Sequence, residues 1–153
     1  MKPLFLVGFM GAGKTYRGQR LAAALDRSFL DMDEEIVRQS GKTIPEIFAE
    51  SGEAGFREIE RRVLHSEAVL RAGVVATGGG LPCFFDNMDW MKAQGQVIWL
   101  NVPPAILAER LRPEKAKRPL LAEVPDEALE SFIEKLLEQR RPYYERANLV
   151  LTI

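Results

Sequence analysis

The sequence predicts an α/β fold in which helices pack around a five-stranded parallel sheet. Two observations predict it. Five short apolar runs alternate with longer segments of helical spacing, which is the pattern of repeated βα units. The chain has 153 residues, 46% of them hydrophobic and 28% charged, the size and composition of one globular domain with its own core. We therefore expect residues 1–153 to form a single domain with helices on both faces of the sheet.

The first half of the chain contains three of the predicted strands. They are the short apolar runs at residues 4–9, 28–31 and 73–77. The helices predicted between them cover residues 14–25, 33–40, 44–49 and 55–71. Thr43 is the expected N-cap of the helix that begins at residue 44, and Pro45 suits the first turn of that helix.

The second half of the chain contains the other two strands, predicted at residues 97–102 and 149–153. Helices are predicted at residues 86–93, 103–111 and 125–144, and the last of them is strongly amphipathic. Residues 112–121, R-P-E-K-A-K-R-P-L-L, break this pattern with two prolines and many charges. They predict an exposed loop that is long enough to act as a lid, or alternatively a solvated run of charges.

Charge and cysteine content exclude several classes of function. The 21 basic and 22 acidic side chains give a net charge of −1, so we expect no nucleic-acid partner. No stretch approaches the roughly 20 apolar residues that span a bilayer, so we expect no membrane segment. Cys83 is the single cysteine and cannot form an intrachain disulfide, which favours a cytoplasmic location.

Residues 8–15, G-F-M-G-A-G-K-T, match the phosphate-binding pattern G-x-x-x-x-G-K-[ST] in full. A predicted strand precedes the match and a predicted helix follows it, as the motif requires. We expect the backbone N–H groups to face the phosphates of ATP or GTP, Lys14 to reach the β- and γ-phosphates, and Thr15 to bind Mg²⁺. A glycine-rich turn without a ligand is the alternative. The nucleotide-contacting residues expected in this stretch are Gly11, Ala12, Gly13, Lys14, Thr15 and Tyr16.

Two aspartates follow the second predicted strand. Alternate residues of an extended chain point the same way, so Asp31 and Asp33 are expected to face one region. Asp31 is the candidate second Mg²⁺ carboxylate, and Asp33 could take the proton of an acceptor hydroxyl during phosphoryl transfer. Alternatively, one aspartate only caps the next helix.

Two further features lie beyond predicted strands or on a predicted helix. The glycines Gly78, Gly79 and Gly80 follow the third strand and indicate a close approach of a ligand or neighbouring chain, or else a simple tight turn. Arg57 and Glu60 are three apart on a helix, where they can pair. That pair either holds a guanidinium in a site or is an ordinary surface ion pair.

Taken together, these segments resemble the shikimate kinase family in order and spacing. The segments are G-F-M-G-A-G-K-T, D-M-D, G-E-x-x-F-R-x-x-E at residues 52–60, A-T-G-G-G at residues 76–80, R-P-L-L at residues 118–121 and R-x-P-x-Y at residues 140–144. The resemblance covers nearly the whole chain. It implies transfer of the ATP γ-phosphate to the 3-hydroxyl of shikimate, in the route to chorismate and the aromatic amino acids. It also implies a P-loop fold with strand order 2-3-1-4-5.

The same resemblance implies roles for individual residues. Asp33 matches the residue that binds shikimate hydroxyls and acts as the base, and Asp31 matches the acid that supports Mg²⁺ through water. Arg57 and Arg140 match the pair that grips the carboxylate, while Gly78, Gly79 and Gly80 match the substrate-facing backbone. Arg118 matches the lid arginine that closes on the phosphates.

Three departures from the family pattern carry their own expectations. Tyr16 replaces a small hydroxyl residue and should cost little function. Either Arg110 or Arg112 stacks on adenine, with Arg110 the first choice. The chain ends with the fifth strand where many relatives continue, so a C-terminal part of the nucleotide pocket is expected to be missing or unneeded.

The sequence predicts a monomeric kinase that needs ATP, shikimate and Mg²⁺. Two other functions remain open at this point. Another small-metabolite P-loop kinase, such as a gluconate-type kinase, would share the phosphate loop but need not have Arg57, Arg140 or the triple glycine. A catalytically silent relative would bind only nucleotide or a partner, although Lys14, Asp33 and Arg118 are all present.

Overall fold

Five parallel strands form one sheet in the computed structural model, which describes residues 1–153. The strands are β1 (Leu4–Val7), β2 (Phe29–Asp31), β3 (Val74–Ala76), β4 (Gln96–Asn101) and β5 (Leu149–Thr152). Their order across the sheet is β2-β3-β1-β4-β5, which confirms the predicted fold class and strand order. Leu4 pairs with Val74 on one side and with Gln96 on the other, so β1 lies at the centre of the sheet.

Seven α-helices and three short 3₁₀ helices connect the strands. The α-helices are α1 (Lys14–Ala24), α2 (Met32–Ser40), α3 (Ile44–Leu64), α4 (Glu67–Arg71), α5 (Asn87–Gln94), α6 (Pro104–Leu111) and α7 (Leu129–Tyr144). The 3₁₀ helices are Leu81–Cys83, Arg112–Lys117 and Asp126–Ala128. No helix of this fold is both long enough and apolar enough to cross a membrane.

The core lies between the sheet and its helices. Phe5, Val75 and Val97, from the three central strands, are fully buried, and the buried face of α7 contributes Ile133 and Leu137. Burial of large apolar side chains from both layers is the main stabilising contribution of such a fold. It fixes the carboxyl ends of β1, β2 and β3 side by side at one edge of the sheet.

The region between β2 and β3 differs from the prediction. Helix α3 begins at the predicted cap, where Thr43 and Glu46 form a reciprocal capping box. It continues through the predicted gap with a kink at Gly52, whose φ of 69° is open to glycine. The prediction of one continuous helix at residues 55–71 is wrong at residues 65–66, because α3 ends at Leu64 and the Ser66 hydroxyl donates to the Val63 carbonyl (2.6 Å) before α4 begins at Glu67.

Candidate active site

The loop between β1 and α1 has the geometry of an anion cradle. Gly8, Gly11 and Gly13 have φ values of 150°, 81° and 92°, in the region that favours glycine. A Cβ atom on Gly8 would lie 2.8 Å from the Leu100 carbonyl oxygen. Gly13 immediately precedes α1, so the N–H groups and the positive end of the helix dipole face the loop.

Lys14 lies at the centre of this loop. Its buried ammonium group donates to the Gly8 carbonyl oxygen and, at 3.5 Å, to the Phe9 carbonyl oxygen. Burial lowers the pKa of Lys14 to about 7, opposed by the nearby Asp33 carboxylate and reinforced by the positive charge of Arg140. An added negative charge, such as a phosphate, would favour the protonated form.

Thr15 and Asp31 meet beside the loop. The Thr15 hydroxyl donates to Asp31 Oδ2 at 2.7 Å, and Asp31 Oδ1 accepts from the backbone N–H groups of Asp33 (2.9 Å) and Glu34 (3.2 Å). Asp31 is therefore the N-cap of α2, which begins at Met32. The expectation of an extended Asp31-Met32-Asp33 segment is wrong, because Asp31 caps α2 and the chain is helical from Met32 onward. Asp31 and Asp33 nevertheless line the same cavity.

Asp33 lies where two cavities adjoin. Burial and the neighbouring Asp31 charge raise the pKa of its carboxyl group, while Lys14 and Arg118 oppose the rise. A carboxylate with a raised pKa is better suited to accept a proton than one with an ordinary pKa.

Arg57 is held by two glutamates on its own helix. Its Nη1 donates to Glu60 Oε1 and its Nη2 to Glu53 Oε2, both at 3.0 Å. The side chains of Arg57 and Glu60 are 5% and 1% exposed, so the alternative of a surface ion pair is wrong. Burial raises the pKa of Glu60 to about 7, although Arg57 opposes the rise.

The triple glycine packs directly against charged side chains. A Cβ atom added to Gly78 would lie 2.8 Å from Glu60 Oε2, and one added to Gly80 would lie 2.6 Å from Arg57 Nη2. On Gly79 it would lie 3.0 Å from the Met10 amide nitrogen. None of the three glycines has a positive φ, so close approach is the reason for glycine here. The close approach predicted from the sequence is confirmed, with side chains and a backbone segment as the neighbours.

Arg140 projects from α7 beside these glycines. It is buried, its guanidinium carbon lies 5.3 Å from the centre of the Phe9 ring, and its Nη1 has no hydrogen-bond partner within the protein. Arg118 Nε and Glu60 Oε2 are likewise buried without a partner. Because buried polar atoms are almost always paired, this concentration indicates a site built to receive a polar ligand.

Arg110 and Arg118 close the nucleotide side. Arg110 Nη1 donates to the Gly11 carbonyl oxygen at 3.0 Å and lines the cavity over the phosphate loop, whereas Arg112 does not line it. Arg118 forms an ion pair with Glu114 at 3.1 Å. Residues 112–121 are not irregular throughout, because they begin with the 3₁₀ helix Arg112–Lys117 and end at the fully buried Leu121.

Two cavities meet at this edge of the sheet. The larger encloses about 530 Å³ over the phosphate loop, and the smaller about 260 Å³ between α3, the triple glycine and Arg140. The residues that line both are Met10, Asp33, Gly78, Gly79 and Arg118. All of the residues predicted for the site line one cavity or both.

The prediction missed several lining residues. The apolar wall of the smaller cavity is formed by Ile44, Pro45, Phe48, Phe56, Pro119 and Leu120. The rings of Phe48 and Phe56 pack in a tilted arrangement, with their centres 4.7 Å apart. Both precede Arg57 on the same bent helix, and Phe56 is its immediate neighbour in the sequence, which is the signal that could have indicated them. Glu114, in the larger cavity, carried no signal beyond its place in a charged run.

A phosphate loop opening onto a second, arginine-lined cavity defines a P-loop phosphotransferase with a small anionic acceptor. A family model described as shikimate kinase matches residues 10–152. The chain belongs to the shikimate kinase family.

Individual relatives agree with the family model. A shikimate kinase from Phocaeicola vulgatus is 48% identical over 148 residues, which cover 97% of this chain and 85% of the relative. The crystal structure of shikimate kinase from Bacteroides thetaiotaomicron has a TM-score of 0.91 at 45% identity, covering 99% of this chain and 86% of that one. Shikimate kinase from Acinetobacter baumannii in complex with shikimate has a TM-score of 0.90 at 42% identity, covering 99% and 83%.

Proposed function

We propose that this protein transfers the γ-phosphate of ATP to the 3-hydroxyl of shikimate and forms shikimate 3-phosphate and ADP. One observation carries the proposal. Asp33, Arg118 and the Gly78-Gly79 backbone line both the phosphate-loop cavity and the arginine-lined cavity. A donor in one cavity and an acceptor in the other would therefore meet at a carboxylate and a guanidinium, which phosphoryl transfer can use.

The larger cavity would hold the nucleotide. The loop N–H groups and Lys14 would bind the phosphates, and Tyr16 and Arg110, which line the same cavity, would contact the rest of the nucleotide, with Arg110 covering the base. Thr15 and Asp31 offer a hydroxyl and a carboxylate 2.7 Å apart, hard oxygen donors that suit Mg²⁺. There is no cluster of three potential metal-ligating side chains, and Mg²⁺ needs none because it takes substrate phosphates and water as ligands. Bound there, Mg²⁺ would neutralise phosphate charge.

The smaller cavity would hold shikimate. Arg57 from α3 and Arg140 from α7 both line this cavity, and two guanidinium groups suit the binding of one carboxylate. The glycine backbone at residues 78–80 lines the same cavity and can approach the ring closely. Asp33 would accept hydrogen bonds from shikimate hydroxyls, and the apolar wall of α3 would pack against the ring carbons.

The reaction would use the shared wall. Asp33 accepts the proton of the shikimate 3-hydroxyl as the oxygen of that hydroxyl forms a bond with the γ-phosphorus. The bond between that phosphorus and the oxygen bridging to the β-phosphate breaks, and ADP leaves with the electron pair. Lys14 and Arg118 stabilise negative charge on the transferring group. Residues 112–121 act as a lid that excludes water during this step.

The remaining expectations belong to the same proposal. We propose that the chain acts as a monomer, since one chain supplies residues enough for both ligand cavities and the site needs none from a second copy. A cytoplasmic location is supported by a single, unpaired cysteine. Sedimentation of the active enzyme at assay concentration tests the first statement, and a dimer would contradict it.

The position of the transferred phosphate tests the proposed reaction. The enzyme is incubated with MgATP and shikimate, and the product is analysed by ³¹P and proton NMR. We expect one phosphate ester, coupled to the proton on carbon 3. An ester on another hydroxyl, or release of inorganic phosphate alone, would contradict the proposal.

A further inference from the structure

We propose that Phe84 is a positioning residue for the acceptor, because its aromatic ring holds the Arg57 guanidinium in the orientation that receives a carboxylate. The inference rests on the proposed function of Arg57. It concerns a residue that lines neither cavity and that would act on the acceptor only through the arginine.

The contact between the two side chains is close. The guanidinium carbon of Arg57 lies 4.3 Å from the centre of the Phe84 ring and 5.2 Å from that of Phe56. A cation over an aromatic face is attracted by the negative charge of that face, most strongly when water is excluded. The Arg57 side chain is only 5% exposed, so its attraction to the Phe84 ring is of the stronger, water-excluded kind.

Hydrogen bonds leave part of the Arg57 orientation unfixed. Glu60 and Glu53 each bind one terminal nitrogen, whereas Arg57 Nε is buried without a partner. Both bonds act at the edge of the guanidinium plane, and neither resists tilting of that plane as a stacked ring does. The Phe84 ring and the close backbone of Gly80 therefore complete the support.

Phe84 is itself held in a well-defined loop. The residue has extended backbone after the 3₁₀ helix Leu81–Cys83, and its carbonyl oxygen accepts from the Asn87 N–H at 3.2 Å. The fully buried Asn87 also donates from Nδ2 to the Leu81 carbonyl oxygen at 2.9 Å. This loop directly follows the triple glycine, so one segment presents both the glycine backbone and the ring to Arg57.

The next residue provides a matched control. The centre of the Phe85 ring lies 5.0 Å from the guanidinium carbon of Arg61, so the two form an aromatic–arginine pair of the same kind. That pair is far more exposed, with Phe85 at 53%, and it lines neither ligand cavity. Changes at Phe85 should leave both substrates unaffected.

The test replaces Phe84 with phenylalanines carrying one, two or three fluorines, which weaken the negative face with little change of shape. We expect the KM for shikimate to rise stepwise, to about tenfold for Phe84→Leu, with kcat and the KM for ATP within about twofold. The Phe85 series should be flat. A flat Phe84 series, or equal changes in both KM values, would overturn the inference. Melting of each variant by circular dichroism identifies any loss of folding.

Arg57→Ala separates the two possible failures. If it raises the KM for shikimate while the fluorinated series is flat, only the role of Phe84 is wrong. If Arg57→Ala leaves that KM unchanged, the acceptor assignment in the proposed function fails, and the role of Phe84 fails with it.

Discussion

Asp33 is the residue on which the proposed chemistry depends most. It lies against both cavities, and burial together with Asp31 raises the pKa of its carboxyl group. Asp33→Asn keeps the shape but removes the proton acceptor, so we expect kcat to fall about a hundredfold to ten-thousandfold. Nucleotide affinity, measured by calorimetry, should change little. Full turnover in this variant would refute the role of Asp33.

Lys14 should take up a proton when nucleotide binds. Burial lowers the pKa of Lys14 to about 7 in the free protein, so at about pH 8 the amino group of Lys14 is neutral in most molecules. Phosphates beside it would raise that pKa again, and binding at this pH should take up nearly one proton. Calorimetry of ATP binding in buffers of different ionisation enthalpy measures the uptake, which should diminish toward about pH 6. A buffer-independent enthalpy at pH 8 would contradict this prediction.

At the scale of elements, the glycine segment after β3 should tolerate no side chain. A Cβ atom on Gly80 would meet Arg57 Nη2 at 2.6 Å, so Gly80→Ala must displace the guanidinium. Overpacking of this kind costs about 1–3 kcal/mol, and we expect the KM for shikimate to rise about tenfold or more. Gly41→Ala is the control, because its Cβ meets nothing within 4 Å. It should lower stability through its φ of 73° and leave both KM values unchanged.

The lid segment makes a different prediction. Arg118 is paired with Glu114 and reaches both cavities, so its removal should affect the transition state more than the bound acceptor. We expect Arg118→Ala to lower kcat about a hundredfold to a thousandfold with a small change in the KM for shikimate. An unchanged kcat would refute the lid role. Arg112→Ala, outside both cavities, is the matched control.

The elements also show where sequence patterns suffice. The apolar runs predicted all five strands, because each is a short run separated from the next by a segment of helical spacing, whereas the strand order across the sheet was implied only by the family resemblance. The end of α3 could not be predicted, since apolar spacing continues past Leu64 while a Ser66 hydroxyl bond ends the helix. The extended geometry predicted for residues 31–33 failed because a capping bond is local and competes with strand continuation.

The sequence predicted many of the residues that line the two cavities, but not how they are arranged. Spacing indicated that Arg57 and Glu60 pair, yet their burial depends on the triple glycine, which lies about twenty residues away in the sequence. Contacts between distant segments, such as Phe84 with Arg57, leave no periodic pattern in the sequence. Only the assembled sheet edge brings them together.

At the scale of the whole molecule, the net charge of −1 conceals a division of charge. Basic side chains line both cavities, among them Lys14, Arg110 and Arg118 on the nucleotide side and Arg57 and Arg140 on the acceptor side. On the outer helices acidic and basic side chains instead pair with one another, as in Glu35–Arg38, Glu67–Arg71 and Glu138–Arg141. Two anionic ligands are thereby attracted to one sheet edge without a general affinity for polyanions.

The choice of acceptor tests the central claim most directly. ADP release is measured with MgATP and, in separate reactions, shikimate, gluconate and nucleoside monophosphates, with Lys14→Met as the control for contaminating kinases. Because Arg57 and Arg140 both line the acceptor cavity, we expect rapid ADP release with shikimate and not with the other two acceptors. Release with gluconate or a nucleoside monophosphate but not with shikimate would contradict the account.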